Sequence, residues 1–242
     1  MFKMVRNIKI NYKQYGDGKD IVLLHGWGQN IKMMEPLGNK LKNNYRITII
    51  DFPGFGLSEE PDFPYEVTDY TDLLHDLLNE LNVKNPILVG HSFGGRVSII
   101  YASMYDAEKI VLLGSPCVRH ESNKKENGFL EFIKKLKIFN PLLNVLKKHM
   151  GSVDYRNASP MMRDVLVKTV NKDLSEYAKK IEIPSLLIWG DKDEAVPVDD
   201  AKILNKLIKN SNLIVLPGTH YCYLERLNEV SSLIEKFIKE DS

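Results

Sequence analysis

Only two cysteines, Cys117 and Cys222, occur in 242 residues, too few for a disulfide scaffold. No run of 18 apolar residues is present, which excludes a helical membrane span from the sequence pattern. The opening Met1-Phe2-Lys3-Met4-Val5-Arg6-Asn7 has no apolar core of the kind a signal peptide needs, so a soluble, cytoplasmic protein is expected. Charge of one sign is not in excess: 33 Lys and Arg face 32 Asp and Glu, for a net +1. A nucleic-acid binder normally carries a basic surplus, so that class is not expected. Hydrophobic residues make up 43% and charged residues 27%, which rules out disorder, collagen and coiled coil for the whole chain.

What is present is a rhythm. Short apolar runs end at small or polar residues: Ile21–Leu24, Ile47–Ile50, Ile87–Val89, Ile110–Leu113, Leu186–Trp189 and Leu213–Leu216. Runs without polar alternation suit strands covered on both faces. Helical periods lie between them, at Tyr70–Leu81, Arg96–Tyr101, Ala201–Leu207 and Val230–Ile238. This order predicts an α/β protein with a mostly parallel sheet flanked by helices. The alternating Ile8–Tyr12 followed by Gly16-Asp17-Gly18 predicts an antiparallel hairpin at the sheet edge.

The rhythm breaks over 117–180. That stretch has helical periods instead, at Phe129 to Leu136 and Leu142 to Leu146. It reads as a helical insertion between two core segments, 1–116 and 181–242. It carries 14 Lys or Arg against 7 Asp or Glu, which leaves the rest of the chain acidic.

Chemistry concentrates at Gly90-His91-Ser92-Phe93-Gly94, directly after an apolar run and before a helical one. A serine in that setting stands on a sharp strand-to-helix turn with its hydroxyl exposed. The hydroxyl needs a base, and the base needs an orienting carboxylate. Six histidines are available: His25, His75, His91, His120, His149 and His220. Only His220 follows a late strand, in Pro217-Gly218-Thr219-His220, at the strand end where α/β sheets bind ligands. His25 reads as a structural hydrogen-bonder. For the carboxylate, Asp191 and Asp193 both follow the strand ending at Trp189-Gly190, and spacing alone does not separate them. An oxyanion would be held by the backbone N–H groups of Phe93 and of Trp27 in His25-Gly26-Trp27-Gly28. Trp27, Phe93, Val196 and Tyr221 are the expected pocket residues.

Other features read as structural. Cys222 lies two residues from His220, but no second pair and no His-Glu-x-x-His exists, so no metal is expected. Gly54 and Gly56 lack the third glycine and acidic partner of a dinucleotide site. No cofactor is expected.

Four motifs together resemble the α/β-hydrolase fold superfamily of serine-esterase type. They are His25-Gly26-Trp27-Gly28, Asp51-Phe52-Pro53-Gly54-Phe55-Gly56-Leu57-Ser58, Gly90-His91-Ser92-Phe93-Gly94-Gly95, and Gly190-Asp191-Lys192-Asp193 through Val196-Pro197 with Gly218-Thr219-His220 after it. A narrower resemblance is to the pimeloyl-acyl-carrier-protein methyl ester esterases. The resemblance implies an eight-stranded sheet and a catalytic triad of Ser92, Asp193 and His220. It selects Asp193 because two residues separate it from Val196-Pro197. It also implies that the insertion is a helical cap, and that the activity is cleavage of a carboxylic ester on a small molecule or a carrier-bound acyl group. Carbon–carbon bond hydrolases, thioesterases, cofactor-free haloperoxidases and a non-catalytic ligand-binding protein of the same fold stay open alternatives. The basic insertion suggests an anionic substrate or an acidic carrier.

Overall fold

The computed structural model describes residues 1–118 and 159–240. Eight strands form one sheet: β1 (Phe2–Val5), β2 (Ile8–Tyr15), β3 (Lys19–Leu24), β4 (Tyr45–Ile50), β5 (Ile87–His91), β6 (Lys109–Leu113), β7 (Ser185–Gly190) and β8 (Ser211–Leu216). Their order is β1-β2-β4-β3-β5-β6-β7-β8, parallel from β4 to β8 and antiparallel across β1-β2-β4. The helices are α1 (Ile31–Leu41), α2 (Val67–Glu80), α3 (Phe93–Met104), α4 (Pro160–Asn171), α5 (Ser175–Ala178), α6 (Val198–Leu207), α7 (Cys222–Glu225) and α8 (Leu227–Lys239). No helix among the described residues is long and apolar enough to cross a membrane.

Strand side chains alternate between two cores because successive Cβ atoms point to opposite faces. Val22, Leu24, Leu88, Ile110, Leu112, Leu187 and Trp189 pack with α2 and α3 on one face. Ile21, Leu23, Ile47, Ile49, Val89, Val111 and Ile188 pack with α1 and α8 on the other. All five residues of β5, and all five of β6, are buried, which explains the unbroken apolar runs.

All six expected strands form. The edge hairpin differs from expectation. The partner of β2 is β1, and the chain turns at Arg6-Asn7, both at positive φ of 48° and 62°. Two successive positive φ values match the right-handed twist of a two-residue hairpin. Gly16-Asp17-Gly18 instead carries the chain from β2 to β3, which are not neighbours because β4 lies between them. A Cβ on Gly16 would collide with the Tyr45 carbonyl oxygen, so this crossing needs glycine for room. Helix α1 was not expected. Asn30 caps it by accepting from the Lys32 N–H, and Ile31, Met33, Met34, Leu37 and Leu41 give it a buried stripe, with Pro36 inside it.

Of the expected insertion, 117–180, only 117–118 and the part from 159 onward are described. Its helical periods at Phe129–Leu136 and Leu142–Leu146 lie outside the described residues, as do His120 and His149. Within the described part, α4 and α5 return the chain to the core, where the Leu174 N–H donates to the Cys117 carbonyl at 3.0 Å.

Candidate active site

Ser92 is the hinge between β5 and α3, with φ 50° and ψ −109°. A non-glycine residue there is strained by roughly 1–3 kcal/mol. The surrounding packing enforces the bend. The Ser92 N–H donates to the Leu113 carbonyl at 2.9 Å, and the Ser92 carbonyl accepts from Gly95 and Arg96 N–H. The flanking glycines leave room for this: a Cβ on Gly90 would meet the Gly94 carbonyl group at 2.5 Å, and one on Gly94 would collide with the Leu24 oxygen. Ser92 is 7% exposed at the N-terminus of α3, whose first N–H groups lack partners within the helix. That end of a helix favours developing negative charge.

Asp193 and His220 come from the loops after β7 and β8. The His220 Nδ1 lies 2.8 Å from Asp193 Oδ2, and both residues are 6% exposed. A carboxylate oxygen accepts in this contact, so Nδ1 carries the hydrogen. Asp193 Oδ1 accepts from the Ala195 and Val196 N–H groups at 3.0 and 2.8 Å. The His220 loop is braced by Thr219, whose N–H and hydroxyl both donate to Glu225. Asp191 plays a different part. It is exposed, accepts from the Gly218 N–H at 2.9 Å and joins the two loops. Gly114, after β6, stands beside the pair at φ 53°; a Cβ there would lie 3.1 Å from His220 Nδ1 and 3.2 Å from Asp193 Oδ2. Because Ser92 pairs with Leu113, the turn carrying the hydroxyl and the Asp193–His220 pair flank the same end of β6.

Trp27 and Phe93 meet edge to face with centroids 5.4 Å apart, and Phe55 contacts both rings. Val196 is 1% exposed, and its carbonyl accepts from the Trp189 indole at 2.8 Å. Tyr221 is not brought to these residues. It packs against the core on the other face, beside His91. Side-chain direction in the His220 loop is set by the turn, which spacing does not reveal.

His25 is fully buried. Its Nδ1 donates to the Gly26 carbonyl at 2.7 Å and its Nε2 accepts from the Phe52 N–H at 3.0 Å. Burial pulls its pKa below the ordinary histidine value. The Asp51–Ser58 motif is likewise a built loop. Asp51 accepts from Ile31 and Leu57 N–H and from the Asn11 amide, and a Cβ on Gly56 would collide with its carboxylate. His75 stacks on Tyr105 in the α2–α3 region. Burial pushes the Cys117 and Cys222 thiols up to about 12, so both are packed, unreactive groups. Among the described residues no cluster could hold a metal ion.

Arg96 was missed by sequence reasoning. It is one turn beyond Ser92 in α3 and 5% exposed. Its guanidinium donates to the carbonyls of Pro116 at 3.2 Å, Thr169 at 2.9 Å, and Lys172. Burial pulls its pKa down to about 10. Two of those acceptors, at Thr169 and Lys172, exist only through the tertiary return of α4.

The family model described as the alpha/beta hydrolase fold matches residues 20–137. The AB hydrolase superfamily protein YisY of Bacillus subtilis is 26% identical, with 97% of each chain covered. A pimeloyl-[acyl-carrier protein] methyl ester esterase of Wigglesworthia glossinidia brevipalpis is 27% identical over 91% of this chain and 94% of its own. A bromoperoxidase from Bacillus anthracis superposes with a TM-score of 0.84 at 25% identity, covering 99% of this chain and 100% of its own. Sheet order, motifs and relatives agree on the α/β-hydrolase fold for this chain.

Proposed function

We propose that this protein is a serine hydrolase that cleaves carboxylic esters through an acyl-enzyme intermediate. The observation that carries the reading is the Asp193–His220 hydrogen bond at the end of the sheet where Ser92 stands on a strained turn. In the proposed reaction His220 Nε2 takes the Ser92 proton as the hydroxyl oxygen attacks the ester carbonyl. The Trp27 and Phe93 N–H groups hold the oxyanion, and the α3 terminus adds its dipole. The tetrahedral intermediate collapses, and His220 protonates the departing alcohol. A water, deprotonated by His220, then attacks the acyl-enzyme carbonyl, and the bond to the Ser92 oxygen breaks as His220 returns the proton to it and the acid leaves. Asp193 holds the imidazole in the productive tautomer and stabilises its charged form. These steps draw on no metal or organic cofactor.

The proposed pocket is lined by Trp27, Phe93 and Val196 from the core, with residues 117–180 as a helical cap above it. The surplus of positive charge in that segment supports an anionic substrate or a carrier-bound acyl group, in line with the 27%-identical relative named for a carrier-linked methyl ester. Lys134, Lys135 and Lys137, which would carry part of this charge, lie outside the described residues.

Fluorophosphonate labelling of Ser92, followed by a p-nitrophenyl ester chain-length panel and methyl esters on an acyl carrier, tests the reading. A folded protein whose Ser92 stays unlabelled would be a ligand binder of the same fold and would overturn it.

A further inference from the structure

We propose that His91 is a positioning residue whose Nε2–H holds the backbone carbonyl of His220 and so fixes the loop of the proposed base beside the turn that carries Trp27. This rests on the serine-hydrolase reading above. His91 precedes Ser92, and strand alternation sends its ring to the opposite face of the sheet from the pocket. It is fully buried. Its Nε2 is 3.0 Å from the His220 oxygen. A carbonyl only accepts, so Nε2 carries the hydrogen.

The rest of the layer has one consistent arrangement. Gln29 Oε1 accepts from the Gly26 N–H at 3.0 Å. Reversing the amide would set donor against donor, so the oxygen and not the nitrogen faces Gly26. The His91 Nδ1 lies 3.3 Å from the same Gln29 oxygen. Burial and the neighbouring His220 hold the His91 imidazole well below its ordinary pKa, so Nδ1 bears a lone pair and that approach is packing. The rings of Tyr221 and Tyr223 flank His91 at 5.5 and 4.7 Å. One buried N–H therefore fixes the backbone of the base, and the adjacent amide fixes the backbone one residue before Trp27. Displacements of about 1 Å at such groups cost on the order of a hundredfold in rate.

The test compares wild type with His91→Gln, His91→Asn and His91→Leu. Glutamine places an amide N–H near the imidazole Nε2, asparagine is too short to reach the His220 carbonyl, and leucine has no donor. Four measurements are made on each: kcat and KM for a p-nitrophenyl ester, the rate of fluorophosphonate labelling, and Tm. The Asn and Leu variants should lose about ten- to a hundredfold in kcat with KM nearly unchanged, and label more slowly by the same factor. The Gln variant should recover most of that loss. Equal kcat in all four proteins, or a Gln variant as slow as Asn and Leu, overturns the role. Should the Leu variant not fold, the Gln–Asn comparison decides alone. A wild type that neither labels nor turns over ester removes the serine-hydrolase reading and this proposal with it. A labelled wild type with an unaffected Asn variant removes only the role of His91.

Discussion

The two oxygens of Asp193 are divided: Oδ2 meets His220 Nδ1 at 2.8 Å, while Oδ1 accepts two backbone N–H groups, from Ala195 and Val196. An amide in this place cannot choose its orientation freely. In Asp193→Asn the oxygen must stay with the two N–H groups, so the nitrogen faces the imidazole. That forces the opposite histidine tautomer. Turnover should fall on the order of 10³–10⁴-fold, as for the same change in a serine-protease triad, with Tm close to wild type. Steady-state kinetics beside a thermal melt checks both halves.

Ser92→Ala removes the proposed nucleophile but keeps the strained turn, whereas Ser92→Gly removes both. Each should lose about 10⁴-fold or more in ester turnover. The glycine variant should also be more stable than the alanine variant by about 1 kcal/mol, the relief of positive φ less the added chain entropy. Urea denaturation of the pair reads the difference.

Gly114→Ala tests the crowding beside the Asp193–His220 pair. The added methyl meets both side chains at 3.1–3.2 Å on a backbone at φ 53°. About tenfold or more should be lost from kcat, with a stability cost of about 1 kcal/mol. Kinetics and a urea titration of this variant supply the two numbers; an unaltered kcat would contradict the placement.

The buried imidazoles of His25 and His91 predict a pH dependence of stability. Burial lowers both pKa values in the folded state, so the unfolded chain binds more protons once pH drops below about 6.5. Stability contributed by keeping these rings neutral is therefore fully present above that pH. It is lost as pH falls from there toward each ring's lowered folded-state pKa, by at most about 1.4 kcal/mol per unit for each ring. Urea midpoints from pH 7 to 5 should show this slope, and His91→Gln should reduce it by one histidine's share.

Cys117 and Cys222 should resist iodoacetamide at pH 8 in the folded protein and react in denaturant. Their thiols are buried and pushed up to about 12. Alkylation followed by mass analysis distinguishes the two states.

The sheet was legible because its strands are buried on both faces. Ile87–Val89 and Ile110–Leu113 could be read directly, since no polar residue interrupts them. Strand β1 could not, because its Phe2 and Met4 are exposed and Arg6-Asn7 carries no glycine to mark the turn. Helix α1 was hidden by Pro36. Ser92 and His220 stood out by position relative to strands. The choice between Asp191 and Asp193 needed to know which loop each carboxylate faces, and that is tertiary information. Arg96 acts on backbone groups distant in sequence, so no local pattern announces it.

The Arg96 contact bears on transplanting specificity. Cys117 and Leu174 touch through one hydrogen bond, so a segment borrowed from a relative has natural graft points there. Yet the helix that starts at Ser92 reaches up through Arg96 to oxygens at 116, 169 and 172, two of which belong to the exchanged piece. A chimaera that keeps the graft points but presents no oxygens at those places would leave a cation stranded beneath it. The exchanged segment and the helix that carries Arg96 must be taken as matched parts.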